Sequence, residues 1–92
     1  MSVRLIVTFT VQPGRVDEFL NGWPARKAEV EVEPGCDQYE MFRSVEGPDT
    51  LVLLEEWSSP ETLAAHAELN KQRTPFGRDL LAAQTVVERF QT

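Results

Sequence analysis

The sequence contains few of the residues on which much protein chemistry depends. Its 92 residues include one cysteine, one histidine and one tyrosine. A single cysteine cannot form an internal disulfide bond, which fits a reducing compartment. No His, Cys or carboxylate cluster has the spacing of metal ligands, and no glycine-rich phosphate loop is present. We therefore expect no metal ion, no flavin and no other cofactor.

Positive charge and long apolar runs are also scarce. Nine Lys and Arg residues stand against fifteen Asp and Glu, for a formal net charge of -6. Nucleic acids and anionic membrane surfaces are bound through clustered Lys and Arg, so this balance argues against both partners. No run approaches the roughly 18 apolar residues of a membrane span, and the first residues lack the features of a signal peptide. We expect a cytoplasmic protein.

The length predicts a single domain over residues 1–92. A domain of this size buries only about 60–65% of the surface that its unfolded chain exposes. Its stability margin is therefore small, and contact with a second subunit would increase it.

The first half of the chain changes from strand to helix periodicity. Residues 3–11 alternate between apolar and more polar side chains, which predicts a strand. From Arg15 the apolar residues recur every three or four positions, which predicts an amphipathic helix. Pro24 removes a hydrogen bond within it, yet the stripe resumes in phase at Val30, so we expect one kinked helix. Glu33, Pro34 and Gly35 end it.

The second half of the chain predicts a hairpin, a helix and a last strand. Residues 36–45 and 51–57 are expected strands joined by a turn at residues 46–49. A helix follows from Ser58, whose spacing to Glu61 fits the S-x-x-E capping box. Thr74 and Pro75 predict a further helix start, and residues 84–90 predict the last strand.

The resulting order is β-α-β-β-α-β, an α+β chain of the ferredoxin-like type. In this fold the sheet is antiparallel and both helices cover the same face. No segment remains to cover the other face. A second copy of the chain is the simplest cover, and we therefore expect a homodimer.

Several short motifs, in this order, resemble the antibiotic biosynthesis monooxygenase (ABM) domain family. They are Glu33-Pro34-Gly35-Cys36, Tyr39, Glu55-x-Trp57 and Leu63-x-x-His66. The resemblance extends from Val3 to Phe90 and implies a dimeric α+β barrel, in which two sheets pack face to face. It also implies a range of activities, because members include cofactor-free monooxygenases of quinols and aromatic polyketides. Relatives include haem-degrading enzymes and an isomerase of a phosphorylated signalling sugar.

The haem-degrading activity is disfavoured by the first strand and by the position of the histidine. In those relatives the activity needs an axial His in the second helix and an Asn early in the first strand. This strand has Thr8 and Thr10 and no Asn, and His66 lies one or more turns too early.

Three functions remain open from the sequence. The first is a cofactor-independent monooxygenase that uses O₂ to oxidise a small quinol or phenol. Its site would need an apolar pocket and a base. The second is an isomerase or other proton-transfer enzyme for a small polar metabolite, with cationic anchors such as Arg4 or Arg43. The third is a non-catalytic ligand-binding or stress-response domain. Two convergent Arg side chains in the pocket would favour the second.

Six residues are candidates for such a site, and several of them have a structural alternative. The expected catalytic residues are His66, Tyr39 and Glu55; the expected substrate contacts are Trp57, Arg43 and Thr8. His66 is the strongest candidate for the base because its ordinary pKa lies near neutral pH. The alternatives are an edge-of-core histidine, core packing for Trp57, a half-buried Tyr39 with its hydroxyl in water, and a Glu55–Arg43 ion pair. Trp23 is expected in the core, and Cys36 is expected to act as a small buried apolar residue.

Overall fold

Four strands form one antiparallel sheet in the computed structural model, which describes residues 1–91. The strands are β1 (Val3–Thr10), β2 (Cys36–Arg43), β3 (Thr50–Trp57) and β4 (Val86–Gln91), and the helices are α1 (Val16–Leu20), α2 (Trp23–Glu31) and α3 (Pro60–Asn70). Their order across the sheet is β2-β3-β1-β4, with every neighbouring pair antiparallel. This is the predicted ferredoxin-like α+β arrangement.

Alternation along the strands gives the sheet one face that packs on the helices and one that does not. On β1, Val3 and Val7 are buried beneath the helices, while Ile6 and Thr8 point to the other face. The helix side holds two apolar clusters, one around the fully buried Trp57 and one around Phe19. The other face, called the helix-free face below, has no covering element within residues 1–91.

The first helical region is two helices, and the expectation of one kinked helix is wrong. Asn21 and Gly22 separate α1 from α2, although both residues keep a right-handed helical backbone. Pro24 lies in the first turn of α2, where its missing N–H removes no helical hydrogen bond. The proline therefore starts a new helix instead of bending an old one.

The capping box of α3 lies one residue later than predicted. Ser59 is the N-cap: its hydroxyl accepts a hydrogen bond from the Thr62 N–H, and its own N–H donates to the Thr62 hydroxyl. Pro60 is the first helical residue. The predicted Ser58–Glu61 pair is wrong because the proline fixes the cap at the residue directly before it.

Residues 71–85, between α3 and β4, contain no α-helix, which corrects the prediction made from Thr74 and Pro75. Only a short 3₁₀ turn forms, at Arg78–Leu80. It follows Gly77, whose φ of 62° is left-handed and interrupts a regular helix. Phe76 packs with its ring centroid 4.8 Å from that of Phe19, which fixes residues 74–78 over the helix side of the sheet.

A bulge near the start of β2 changes which side chains share a face. Cys36 pairs with Trp57, whereas Gln38 pairs with Glu56, so Asp37 is an extra residue. Cys36 and Tyr39 therefore both face the helices, although strict alternation along a strand would place residues three positions apart on opposite faces. Cys36 packs against the core cluster, and burial raises the pKa of its thiol to about 11.

No helix within residues 1–91 is long and apolar enough to cross a membrane.

Candidate active site

A cavity of about 610 Å³ lies between the sheet, α2, α3 and the segment that follows α3. Its floor is apolar, made by side chains from β1, β3 and β4. Aromatic rings of Trp23, Tyr39 and Phe76 form part of its wall. The ionisable side chains that line it are Arg26, Tyr39, Glu55, His66, Lys71, Arg73 and Arg78.

His66 lies at the inner end of this cavity, on α3, and is held by a carboxylate from the turn that follows α2. Its Nδ1 is 3.0 Å from Oε1 of Glu33, and both side chains are only 6% exposed. Because a carboxylate only accepts hydrogen bonds, this contact places the proton on Nδ1. Nε2 then carries the lone pair, and it accepts a hydrogen bond from the Asn70 side-chain amide at 3.2 Å.

Arg73 compensates the buried charge of Glu33. Its Nη2 lies 2.7 Å from Oε2 of Glu33, and its Nε lies 3.3 Å from Oε2 of Glu29. Burial of an unpaired carboxylate would be strongly unfavourable, so this ion pair is what allows Glu33 to stay beside His66. Arg73, Glu33 and His66 thus form a continuous polar chain.

Glu55 is a second buried carboxyl group next to the same imidazole. Its Oε1 accepts a hydrogen bond from the Trp57 indole N–H at 3.0 Å and lies 3.8 Å from Nε2 of His66. Burial raises the pKa of Glu55, while the Trp57 hydrogen bond and the nearby His66 oppose that rise. Glu55 is therefore a group that can hold a proton next to His66 at higher pH than an exposed glutamate.

Aromatic rings enclose His66 on two sides. Trp57 stacks on the imidazole, with ring centroids 4.5 Å apart, and Tyr39 meets it edge-on at 6.0 Å. Trp23 stacks in turn on Tyr39 at 5.2 Å. Burial raises the pKa of the Tyr39 phenol well above its usual value, so this hydroxyl stays protonated and available as a hydrogen-bond donor.

The structure brings three of the six predicted site residues to the cavity: His66, Tyr39 and Glu55. Trp57 is completely buried behind them and packs on His66, so its expected contact with a substrate is corrected to core packing. Trp23, expected in the core, is the tryptophan that lines the cavity.

Thr8 and Arg43 do not line this cavity, which corrects their expected placement. Thr8 points to the helix-free face because it alternates with Val7 and Phe9 on β1. Arg43 shares the Tyr39 face but lies at the exposed end of β2, where it donates to the Pro48 carbonyl at 2.9 Å. It therefore does not pair with Glu55. Arg4, the other proposed anchor, is on the helix-free face and pairs with Glu56.

Glu33, Asn70, Arg73 and Arg26 were not predicted as site residues. Glu33 was assigned to the turn that ends a helix and to the Glu33-Pro34-Gly35-Cys36 motif, and nothing local indicates its contact with a residue 33 positions away. The spacing of His66 and Asn70, at i and i+4, was a usable signal, because such residues lie on one side of a helix. Arg73 lies three residues beyond the end of α3, where helical spacing gives no guide.

Within residues 1–91 no group of three or more His, Cys, Asp or Glu side chains has the arrangement of a metal site.

Comparison with known proteins gives the family. The model of the antibiotic biosynthesis monooxygenase family matches residues 2–74, more than half of the chain. The chain therefore belongs to this family. No curated protein matches its sequence.

Solved structures agree over almost the whole length. A conserved protein of Methanosarcina mazei is 27% identical, with a TM-score of 0.90 over 99% of this chain and 92% of that one. A Mycobacterium tuberculosis protein is 25% identical, with a TM-score of 0.84 over 100% and 95%. A Nitrosomonas europaea protein that carries the family's name is 20% identical and shares the fold, with a TM-score of 0.87 over 99% and 89%.

Proposed function

We propose that this protein is a cofactor-independent monooxygenase that oxidises a small electron-rich aromatic, a phenol or quinol, with O₂. One observation carries the proposal. A buried histidine, oriented by a carboxylate at 3.0 Å, opens into a cavity lined by apolar and aromatic side chains. That combination provides a base beside a space suited to an aromatic ring.

In the first step Nε2 of His66 removes the proton of the substrate hydroxyl. The carboxylate of Glu33 holds the ring in the required tautomer and stabilises the imidazolium that forms. Asn70 donates to the same Nε2, so its amide must turn towards the substrate oxygen when the substrate binds. The resulting phenolate is electron-rich enough to give one electron to O₂.

Recombination of the two radicals forms a C–O bond at a ring carbon that bears hydrogen. The peroxide anion takes the proton from His66, and Tyr39 donates a hydrogen bond to stabilise its charge. Loss of that ring proton and cleavage of the O–O bond then release water and leave a carbonyl. The substrate supplies all four electrons: one oxygen atom enters the product as a quinone oxygen and the other leaves as water.

The active form is proposed to be a homodimer that covers the helix-free face. This face presents an apolar set: Ile6, Phe42, Val52, Leu54, Val86 and Phe90. Phe42, Val86 and Phe90 are 44%, 56% and 47% exposed in the single chain. A second copy would remove this apolar surface from water.

An isotope experiment tests the oxygenase. Hydroquinones of one and two rings are incubated with the protein under ¹⁸O₂, and oxygen uptake is measured against spontaneous oxidation. We expect one ¹⁸O atom in the product quinone and enzyme-dependent uptake that is lost in His66→Gln. Uptake no faster than without protein across the panel, or product oxygen derived from water, would overturn the proposal.

A second candidate is favoured by the cations at the cavity edge. Four cationic side chains line the cavity: Arg26, Lys71, Arg73 and Arg78. Several arginines in one pocket are the feature expected of a proton-transfer enzyme that acts on a small anionic metabolite. Arg73 is already paired with two glutamates, so fewer of these charges are free. Exchange of substrate protons with D₂O in the absence of O₂ consumption would favour this candidate.

A further inference from the structure

Positive charge is concentrated at the cavity to an extent that the composition does not explain. Four of the nine Lys and Arg residues line it, namely Arg26, Lys71, Arg73 and Arg78, whereas Glu55 is the only lining residue of the fifteen Asp and Glu. In a chain of net charge -6 this local excess is the reverse of the overall balance. An apolar cavity with a cationic edge suits a ligand that is aromatic and anionic.

Not all four cations are free to bind a ligand. Arg73 is held by Glu29 and Glu33, and Lys71 pairs with Glu68 at 2.9 Å. Arg78 makes no ion pair and no side-chain hydrogen bond with any part of the chain from residue 1 to residue 91. Arg26 donates to the Thr74 carbonyl, and its guanidinium carbon lies 5.8 Å from the centre of the Phe76 ring. No carboxylate neutralises either Arg26 or Arg78 within the described residues.

Arg26 and Arg78 lie in a different part of the cavity from His66, the proposed base. Arg78 belongs to the 3₁₀ turn that reaches the Val11 end of the sheet, where Leu81 bridges to Val11. Glu55, beside His66, lies across from Leu5 near the opposite end. Arg26 follows Trp23 by three residues on α2 and so continues the wall made by the Trp23 and Tyr39 rings.

We infer that Arg26 and Arg78 form an anion subsite, and that the substrate is a hydroxylated aromatic carboxylate. Its ring lies along Trp23 and Tyr39, its hydroxyl reaches His66, and its carboxylate lies between the two guanidinium groups. Guanidinium groups form charge-assisted, often bidentate hydrogen bonds with carboxylates, which makes arginine well suited to this role. This inference rests on the proposed function for the role of the hydroxyl end.

The test compares binding of 6-hydroxy-2-naphthoate with that of its methyl ester, by calorimetry in the absence of O₂. The two probes share ring and hydroxyl and differ in charge. We expect the acid to bind about tenfold more tightly than the ester to the wild-type protein. Arg26→Gln and Arg78→Gln should each reduce this preference at least threefold. The control Arg15→Gln makes the same charge change at a side chain outside the cavity that is 42% exposed, and should preserve it.

Several results would overturn the subsite. The first is equal binding of the acid and the ester by the wild-type protein, or no binding of the acid at millimolar concentration. The second is a preference for the acid that survives in both cavity variants, or that falls equally in Arg15→Gln. If Arg26→Gln fails to fold, Arg78→Gln still tests the subsite, since the Arg78 side chain makes no hydrogen bond or ion pair within residues 1–91. Because no turnover is involved, a preserved acid preference without quinol oxidation would refute the oxygenase alone. Oxidation without an acid preference would refute the subsite alone.

Discussion

The carboxylate of Glu33 and the imidazole of His66 meet 3.0 Å apart, 33 residues from each other in the chain, with both side chains almost fully buried. Glu33 lies in the turn two residues after the end of α2, and His66 lies in the middle of α3. The contact therefore ties α3 to the turn that follows α2. It fixes both the tautomer and the orientation of the only histidine in the chain.

The first prediction separates a catalytic histidine from a structural one. His66→Gln should fold and dimerise, yet lose on the order of 10²–10⁴ in kcat, because glutamine cannot accept the substrate proton. Glu33→Gln keeps an acceptor for Nδ1 but removes the charge, so it should lower kcat by about tenfold or more with little change in KM. Stopped-flow measurement of quinol oxidation gives both constants. Full turnover in His66→Gln would move the search for the base to Glu55 or Tyr39.

The second prediction concerns stability and pH through Glu55. Its pKa is raised above the usual 4.5 by burial, so the folded state binds this proton more tightly than the unfolded state does. The stabilisation is therefore complete below about pH 4.5 and is lost as pH rises through the folded-state pKa. Glu55→Gln has no such proton, and its amide oxygen can still accept from Trp57. Relative to wild type, the variant should gain stability as pH rises from 4 to 7.

Urea unfolding of both proteins across that range measures the difference. The comparison with wild type at each pH cancels the titration of shared groups that do not interact with Glu55. A difference in unfolding free energy that stays constant with pH would show that Glu55 titrates normally in the folded protein.

The order of strands and helices was predictable because it depends on local periodicity. The residues that line the cavity were harder to predict, because their positions depend on long-range contacts that periodicity does not encode. The shift of Cys36 to the Tyr39 face follows from one extra residue in β2, and alternation alone cannot locate such a bulge. Trp57, expected at the cavity, is fully buried, and Trp23, expected in the core, lines the cavity, because only packing decides which ring reaches it. His66 was singled out because it is the one histidine, but Glu33 could not be linked to it from sequence spacing.

The third prediction tests the dimer. Ile6 and Leu54 are cross-strand neighbours at the centre of the helix-free face, so Ile6→Lys would place a charge inside the proposed interface. Sedimentation equilibrium at micromolar concentration should give twice the chain mass for wild type and a lower mass for Ile6→Lys. Val45→Lys is the control, because Val45 is 99% exposed in the turn after β2. A monomeric wild-type protein would refute the dimer.

The last prediction concerns the segment that closes the cavity beside Arg78. Gly77 has a φ of 62°, and a Cβ built on it would lie 2.4 Å from the ring of Phe19. Phe19 is fully buried and packs on Phe76, so the ring has little room to move aside. Gly14 is a matched position, with a φ of 77° but no atom within 4 Å of a built Cβ.

Both alanine variants place an L-residue in a left-handed backbone conformation, but only Gly77→Ala also brings a Cβ against the Phe19 ring. Gly14→Ala should cost about 1–2 kcal/mol, the penalty of a left-handed backbone for an L-residue. Gly77→Ala should cost about 1–3 kcal/mol more, because overpacking against Phe19 is added. It should also weaken binding of 6-hydroxy-2-naphthoate, because residues 76–78 must move away from Phe19 and carry Arg78 with them. Urea midpoints and calorimetric titration measure the two effects. Equal destabilisation by the two variants would show that the Phe19 contact does not hold this segment in place.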